Sequence, residues 1–287
     1  MASTTYNFIP EKWSTKLDFN LYNDSTMLKL VNTDYEGDAK KTDTVFIRTP
    51  GTVAQGTYAG SITYENLSPT KTSLLIDQFK YAAFKCDDIT EAQSDVKVLE
   101  SHIEEVRETR RLTVDTHLQT HYADVPTANQ VDLQDVGGGG SDGDGIVLDK
   151  DTMYEAFPIL KRKMARSKAF HKAAGTPWIV VPPEVTEKLV QMPEFLNLEK
   201  LGEKAVEKGM VGMVSGFEIY ELNNLVAVNS KYYCLAGTKK SITFAHQIKK
   251  METIRLEGSF DTAIRLLDGF GSKVINTSRL GQIIFAA

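Results

Sequence analysis

Residues 90–122 contain neither Gly nor Pro and carry the longest helical pattern in the chain. Val96, Leu99, Ile103 and Val106 step by three, four and three, and Thr113 and Leu118 roughly continue the line, so one narrow stripe of the helix is apolar. Thr90 and Gln93 have the spacing of a capping box, which fixes the start. Glu104 with Arg107, Glu108 with Arg111, and Arg111 with Asp115 are spaced to pair along the flanks. At about 1.5 Å of rise per residue such a helix runs roughly 45–50 Å. A helix this long with so thin a seam docks on one side and is wet on the others. The pattern predicts a strut rather than a core helix. Arg110 and Arg111 interrupt the seam, which argues against a coiled coil continued past Leu112.

His117 and His121 stand one turn apart on this helix, the spacing of zinc-binding helices. The zinc-protease pattern needs Glu directly after the first His as general base, and Leu118 sits there. No third ligand is signalled nearby, so the pair reads as two solvent-facing histidines.

Composition bounds the rest. A length of 287 allows one large or two ordinary domains, and 41% hydrophobic with 25% charged residues describes a core-forming chain. A net charge of −5 argues against a surface devoted to nucleic-acid phosphates. Cys86 and Cys234 are far apart and in no metal spacing, as expected of buried thiols in a reducing compartment. The first residues have no basic and no apolar secretion segment, and no apolar run approaches the roughly 18 residues of a membrane span. No cofactor is expected, and no membrane partner.

Taken in order, residues 1–37 are weakly patterned, with aromatics (Phe8, Trp13, Phe19, Tyr22) that need a neighbour to pack on. Asp34 to Asp38 reads as a turn. Residues 44–48 and 61–64 read as strands, and 71–84 as β-rich, with Phe79, Tyr81 and Ala83 alternating against polar neighbours. Between the first two strands, residues 49–60 are rich in Gly and Thr and offer little to bury, so a hairpin here cannot stabilise itself in water. It either packs on this domain or lies across a neighbour.

Residues 124–149 are polar and glycine-rich. They lack the Lys of a phosphate-binding loop and, counted from Asp142, the ligands of a calcium loop, because Ile146 and Met153 fall at those places. A flexible surface loop is expected. Asp149 or Asp151 then caps a second helix with Met153, Phe157, Leu160, Met164 and His171 on one face, and Pro158 predicts a late start or a kink. Lys161, Arg162, Lys163, Arg166, Lys168 and Lys172 make this the most basic stretch, a solvated face or a surface turned to nucleic acid. Trp178-Ile179-Val180-Val181 marks a strand buried on both sides. Pro182-Pro183-Glu184 starts a helix with Val185, Leu189 and Met192 inward and Pro193 as its stop. Helix, buried strand and helix make an α/β layer. Strands are expected at 217–221, 232–237, 242–245, 253–257, 262–270, 273–276 and 282–285, the later ones as an antiparallel sheet beside the long helix.

Several of these stretches, in this order, resemble the tailed-phage major capsid proteins of the Hong Kong 97 fold. Ile9-Pro10-Glu11-Lys12-Trp13 and Val31 to Gly37 are similar to the family's N-terminal arm, and Pro177 to Glu184 to its central strand and following helix. Gly209 to Gly212 with Gly216 to Asn224 resembles the strand pair after the axial loop. Phe244 to Gln247, Glu252, Arg255, Phe260-Asp261 and Asp268 to Ile275 resemble the closing strands. The resemblance spans nearly the whole chain.

It implies an α+β fold with an N-terminal arm (1–39), an extended β-hairpin loop (40–89), a spine helix (90–127), an axial α/β domain (128–246) and peripheral antiparallel strands (247–287). It implies inter-subunit contacts through Phe8, Trp13 and Phe19 of the arm and Pro50, Thr52, Val53, Gln55 and Tyr58 of the loop. Glu203, Lys204, Glu207 and Lys208 would form the axial loop. The implied function is a major capsid protein with no active site, self-assembling into pentamers and hexamers of an icosahedral virion shell around double-stranded DNA. The shell would be assembled in the host cytoplasm with a separate scaffolding protein and a portal protein. Some relatives crosslink a loop Lys to a neighbour's Asn. Lys71 and Asn276 have the right side chains, but nothing in the sequence identifies them and the chemistry is not assigned. An encapsulin-like nanocompartment shell is the alternative reading, and a metal-dependent hydrolase using His117 and His121 the distant one.

Overall fold

The architecture is that of a computed structural model, which describes residues 25–35, 44–49, 57, 64, 66, 69–87, 98–170, 175–191, 210–225, 227–256 and 261–287. A short helix α1 (Thr26–Leu30) precedes strands β1 (Thr44–Thr49), β2 (Thr70–Leu75) and β3 (Gln78–Asp87) and the long helix α2 (Val98–Gln119). Strand β4 (Gln130–Val131), helix α3 (Lys150–Arg166), strand β5 (Trp178–Val181) and helix α4 (Pro183–Val190) follow. The chain closes with β6 (Met210–Val214), β7 (Phe217–Glu221), β8 (Lys231–Gly237), β9 (Ile242–Arg255), β10 (Asp261–Val274) and β11 (Leu280–Ala286).

Among the described residues these strands make three sheets: β1-β2, β3-β10-β9, and a mixed sheet of order β4-β11-β8-β5-β7-β6. The period of two along each strand decides what the mixed sheet buries. Ile179 and Val181 of β5, Phe217 and Ile219 of β7, and Cys234 and Ala236 of β8 face α3 and α4, where Met153, Phe157, Leu160, Met164, Val185 and Leu189 meet them. Trp178, Val180, Tyr220 and Leu235 face the other way, onto α1 and onto Val114 and Leu118 of α2. Both faces of β5 are therefore covered, as its unbroken apolar run predicts. Helix α4 begins with Pro183 in the first turn, where its missing N–H costs nothing, and Glu184 beside it.

Several expectations are corrected. Helix α3 starts at Lys150 and so has no late start; it contains the exposed Pro158, and its N-cap Asp149 makes no side-chain capping bond. The strands expected at 242–245 and 253–257 are one strand, β9, and those at 262–270 and 273–276 are one strand, β10. The glycines at 269 and 271 suggest a break, but the ladder absorbs them with a register shift at Gly269/Phe270. The last strand, expected in one sheet with the strands before it, pairs antiparallel with β8 in the mixed sheet, apart from β9 and β10. In β3 the alternation is present but inverted: Phe79, Tyr81 and Ala83 point to solvent, while Ala82 and Phe84 are half-buried. The glycine-rich stretch is tied down rather than slack. Asp132 accepts from the backbone N–H groups of Gln134, Asp135 and Gly143, and Lys163 bonds Asp135 at 2.5 Å.

Helix α1 is capped from a distance. Ser25 Oγ accepts from Leu28 N–H, while its own hydroxyl donates to Asp115 Oδ1 at 2.6 Å, which also accepts from Met27 N–H. Asp115 is wholly buried, and burial pushes its carboxyl up to about 6 against the pull of those bonds and of Arg111. A carboxyl whose folded pKa is raised contributes most below its unfolded value, and that contribution is lost as pH rises through about 6. At about 1.4 kcal/mol per pH unit the loss is about 3 kcal/mol at neutral pH. Asp115→Asn keeps the acceptor oxygen and removes the charge. Its stability relative to the unmodified chain should rise between pH 4 and pH 7.5, as read from urea unfolding at each pH.

Gly271 marks the place where the connection from β2 to β3 passes over β10. A Cβ there would lie 2.0 Å from Leu75 O and 2.9 Å from Ile76 Cα, and both are backbone atoms. Gly271→Ala should cost stability at the upper end of the roughly 1–3 kcal/mol typical of overpacking, read as a lower urea midpoint.

Candidate functional site

The residues expected to make contacts between copies cannot be placed. Phe8, Trp13 and Phe19, the loop residues Pro50, Thr52, Val53, Gln55 and Tyr58, and the axial-loop residues Glu203, Lys204, Glu207 and Lys208 all lie outside the described residues. The same holds for residues 88–97, where the capping box was expected. What the structure does place is the platform between those segments, where the long helix meets the two smaller sheets.

Arg110 does not interrupt the seam of α2; it is part of it. Its side chain is 7% exposed and reaches β10, where Nε donates to Asp268 Oδ2 at 2.5 Å and Nη2 to Oδ1 at 3.1 Å. His246 of β9 bonds the same carboxylate through Nε2 and lies 3.1 Å from Arg110 Nη2. Burial alone would raise the Asp268 carboxyl, but the His246 hydrogen bond and the Arg110 charge outweigh it and hold the carboxyl below its ordinary value. Beside this clasp the helix stands off the sheet. A cavity of about 300 Å³ opens between them, lined by Phe84, Val106, Thr109, Leu266 and Phe270. The helix is braced over that gap at His102, edge-on to Phe84 at 5.8 Å, and at His117, edge-on to Phe270 at 5.4 Å.

The two histidines expected to face solvent do not. His121 is buried and His117 half-buried, and burial lowers the pKa of His117. A carboxylate only accepts, so His121 Nδ1–H donates to Asp124 Oδ2 at 2.7 Å. Its Nε2 then accepts from the Ser272 hydroxyl at 2.7 Å, and Ser272 Oγ accepts from His117 Nε2–H at 2.9 Å. The Asp124–His121–Ser272 run has the connectivity of a hydrolase triad. A serine nucleophile needs an open approach to its oxygen with oxyanion donors beside it. Here Ser272 extends from a strand paired on β9, and a second imidazole closes on the same oxygen. The arrangement ties β10 to the end of α2. Among the described residues no group of three or more His, Cys, Asp or Glu is arranged to hold a metal ion. Cys234 is free and buried, and burial pushes its thiol far up, away from the nucleophilic thiolate.

The hairpin β1-β2 is placed at its base. Val45, Ile47, Leu74 and Ile76 pack on Ala245, while Phe46 (56% exposed) and Leu75 (55%) lie on the opposite face. Lys71 Nζ sits 3.5 Å over the Phe46 ring. Asn276 Oδ1 accepts from Ser278 N–H and caps a 3₁₀ turn. On α2, Glu108 and Arg111 pair as expected, and Arg111 also pairs with Asp115 at 3.9 Å, although Asp115 lies buried against α1 and not on an exposed flank.

Sequence reasoning missed Arg110, Asp268 and His246 as one group because Arg110 and Asp268 are separated by 158 residues. The available signal was a lone Arg within an apolar stripe, which has to find a carboxylate if the stripe is buried. Breaking such a pair leaves Asp268 charged and buried without its main counter-ion. Arg110→Met should lower stability by about 3–5 kcal/mol, and Arg110→Met with Asp268→Leu by clearly less. Urea unfolding of the three chains checks both.

No protein-family model and no curated protein sequence matches the chain. Solved structures do match it. A structure of Mycobacterium phage Che8 superposes with a TM-score of 0.67 at 23% identity, covering 89% of this chain and 88% of that one. The capsid of Ralstonia phage GP4 gives 0.70 at 9% identity, covering 89% and 86%. The capsid structure of cyanophage P-SCSP1u gives 0.66 at 14% identity, covering 90% and 86%. These likenesses extend over nearly the full length of both partners, and the chain has the phage capsid fold.

Proposed function

We propose that this chain is a major capsid protein: a structural subunit that assembles with copies of itself into pentamers and hexamers of an icosahedral phage shell around double-stranded DNA. The observation that carries this reading is the fold, shared over about nine-tenths of the chain with structures described as phage capsids. Its partners are other copies, a scaffolding protein, a portal protein and packaged DNA held without sequence preference. The place of action is the virion.

In this reading residues 1–39 are the arm, 40–89 the extended loop, 90–127 the spine helix, 128–246 the axial domain and 247–287 the peripheral strands. Phe8, Trp13 and Phe19 would pack on neighbours, as would Pro50, Thr52, Val53, Gln55 and Tyr58. Glu203, Lys204, Glu207 and Lys208 would approach the ring axis. The exposed Phe46 and Leu75 at the hairpin base support a loop that is covered only in the assembly. Each such contact is modest, and a closed shell multiplies it over many subunits. The chemistry asked of the chain is burial and registry, and no residue is assigned a catalytic role.

Deleting residues 50–59 should leave a folded subunit with unchanged circular dichroism while shell formation fails in sedimentation. Normal particles from that deletion would remove the loop from its role. Nucleic acid in the isolated particles supports a virion shell, and enclosed enzyme instead of DNA would point to a nanocompartment.

A further inference from the structure

Strand β3 is an edge. The sheet order is β3-β10-β9, and among the described residues β3 pairs only with β10, over Gln78 to Asp87. An antiparallel strand turns its backbone N–H and C=O groups alternately to its two sides, so every second residue of this edge points bonding groups away from β10. The cavity under α2 runs along that edge. Its wall includes Lys80, Tyr81, Ala82, Ala83 and Phe84 in unbroken succession. Neighbouring side chains of a strand point to opposite faces, so consecutive residues share one cleft only where the cleft follows the side of the strand. Opposite them stand Val106, Thr109 and Thr113, on one flank of α2. On the sheet face turned away from α2, Phe79 and Tyr81 are exposed.

We infer that β3 accepts an added strand, and that the strand is residues 17–22 of a second copy of this chain. Leu17, Phe19 and Leu21 alternate with Asp18, Asn20 and Tyr22. Extended, this segment has one apolar face to lay in the cleft against Val106 and Leu266, and one polar face to leave outside. The backbone bonds give such a contact its strength, and the cleft selects the alternate side chains. The donor is a second copy because the same segment of the same chain starts on the wrong side. Ser25 is tied to Asp115, and at about 100° per residue Asp115 stands on the opposite flank of α2 from Val106 and Thr113. Past α1, Asn32 N–H bonds Ile242 O of β9 at 3.0 Å, at the far edge of the same sheet. Tyr22 stands three residues from Ser25, a reach of about 10 Å, which does not carry it around a helix about 10–12 Å wide. This rests on the proposed shell function and adds to it the address and the form of the arm contact.

The test uses full-length chains. Thr109 is exposed on the helix wall of the cleft, so Phe19→Cys with Thr109→Cys, in a Cys86→Ser background, joins arm to cleft where the two meet. In particles treated with oxidised glutathione, the double variant should run as covalent multimers on a non-reducing gel, and either single variant as monomer. A monomer that has lost both introduced thiols marks a link within one chain and overturns the second-copy donor. Particles that keep both thiols free overturn the site itself. Independently, a synthetic peptide of residues 14–24 should slow assembly of the unmodified chain about tenfold by light scattering, and the same peptide with Phe19→Asp should not. Two peptides of equal effect overturn the inference. An unmodified chain that forms no particles defeats the shell reading and, with it, the second-copy donor.

Discussion

A charged side chain in the apolar seam of a long helix is the constraint on which this architecture turns. Arg110 cannot be buried alone, so α2 docks only where Asp268 and His246 can meet it. An apolar seam tolerates sliding by a turn, because one Leu fits much as another does. The two-pronged guanidinium–carboxylate contact does not. One buried charge group thus fixes the longest helix against the longest strands, at the point where β10 shifts register against β9. The cavity beside it follows: the helix is braced at Arg110, His102 and His117 instead of packed along its length. That is how a strut with a thin seam is held, by a few specific contacts and few apolar ones.

The two ends of that helix are committed differently. Toward its C-terminal end, Val114 and Leu118 belong to the core under the mixed sheet, and Asp115 caps α1. Further toward the N-terminal end only Ile103 is buried outright among residues 102–109. The helix therefore joins a well-filled layer to a thin one. The thin layer is also where large apolar side chains remain outside, at Phe79, Tyr81 and Leu267. A single copy leaves this region half-covered, a condition that suits a subunit meant to have neighbours.

How much of this was legible in the sequence follows from the range of each interaction. β5 and α4 were legible because burial on both sides writes an unbroken apolar run, and a helix start writes Pro and Glu. The inner face of α3 was legible at Met153, Phe157, Leu160 and Met164 for the same local reason. Pro158 misled about where the helix starts, since α3 already begins at Lys150. The continuity of β10 was hidden because Gly271 reads as a break; its lack of a side chain instead answers the chain crossing above it. The outward turn of Phe79 and Tyr81 was hidden because alternation gives the period but not which face is inside. Ser25 with Asp115, and Arg110 with Asp268, were out of reach because no local pattern names a partner 90 or 158 residues away. Of the candidate contact residues, only the composition of their segments was legible, and that composition says what they lack: a local core.

That lack bears on how copies would recognise one another. Segments with little local core gain their energy on contact with a neighbour, but apolar contact alone is poor at choosing orientation. Charge supplies orientation cheaply, since a mismatched approach sets like on like before any area is buried.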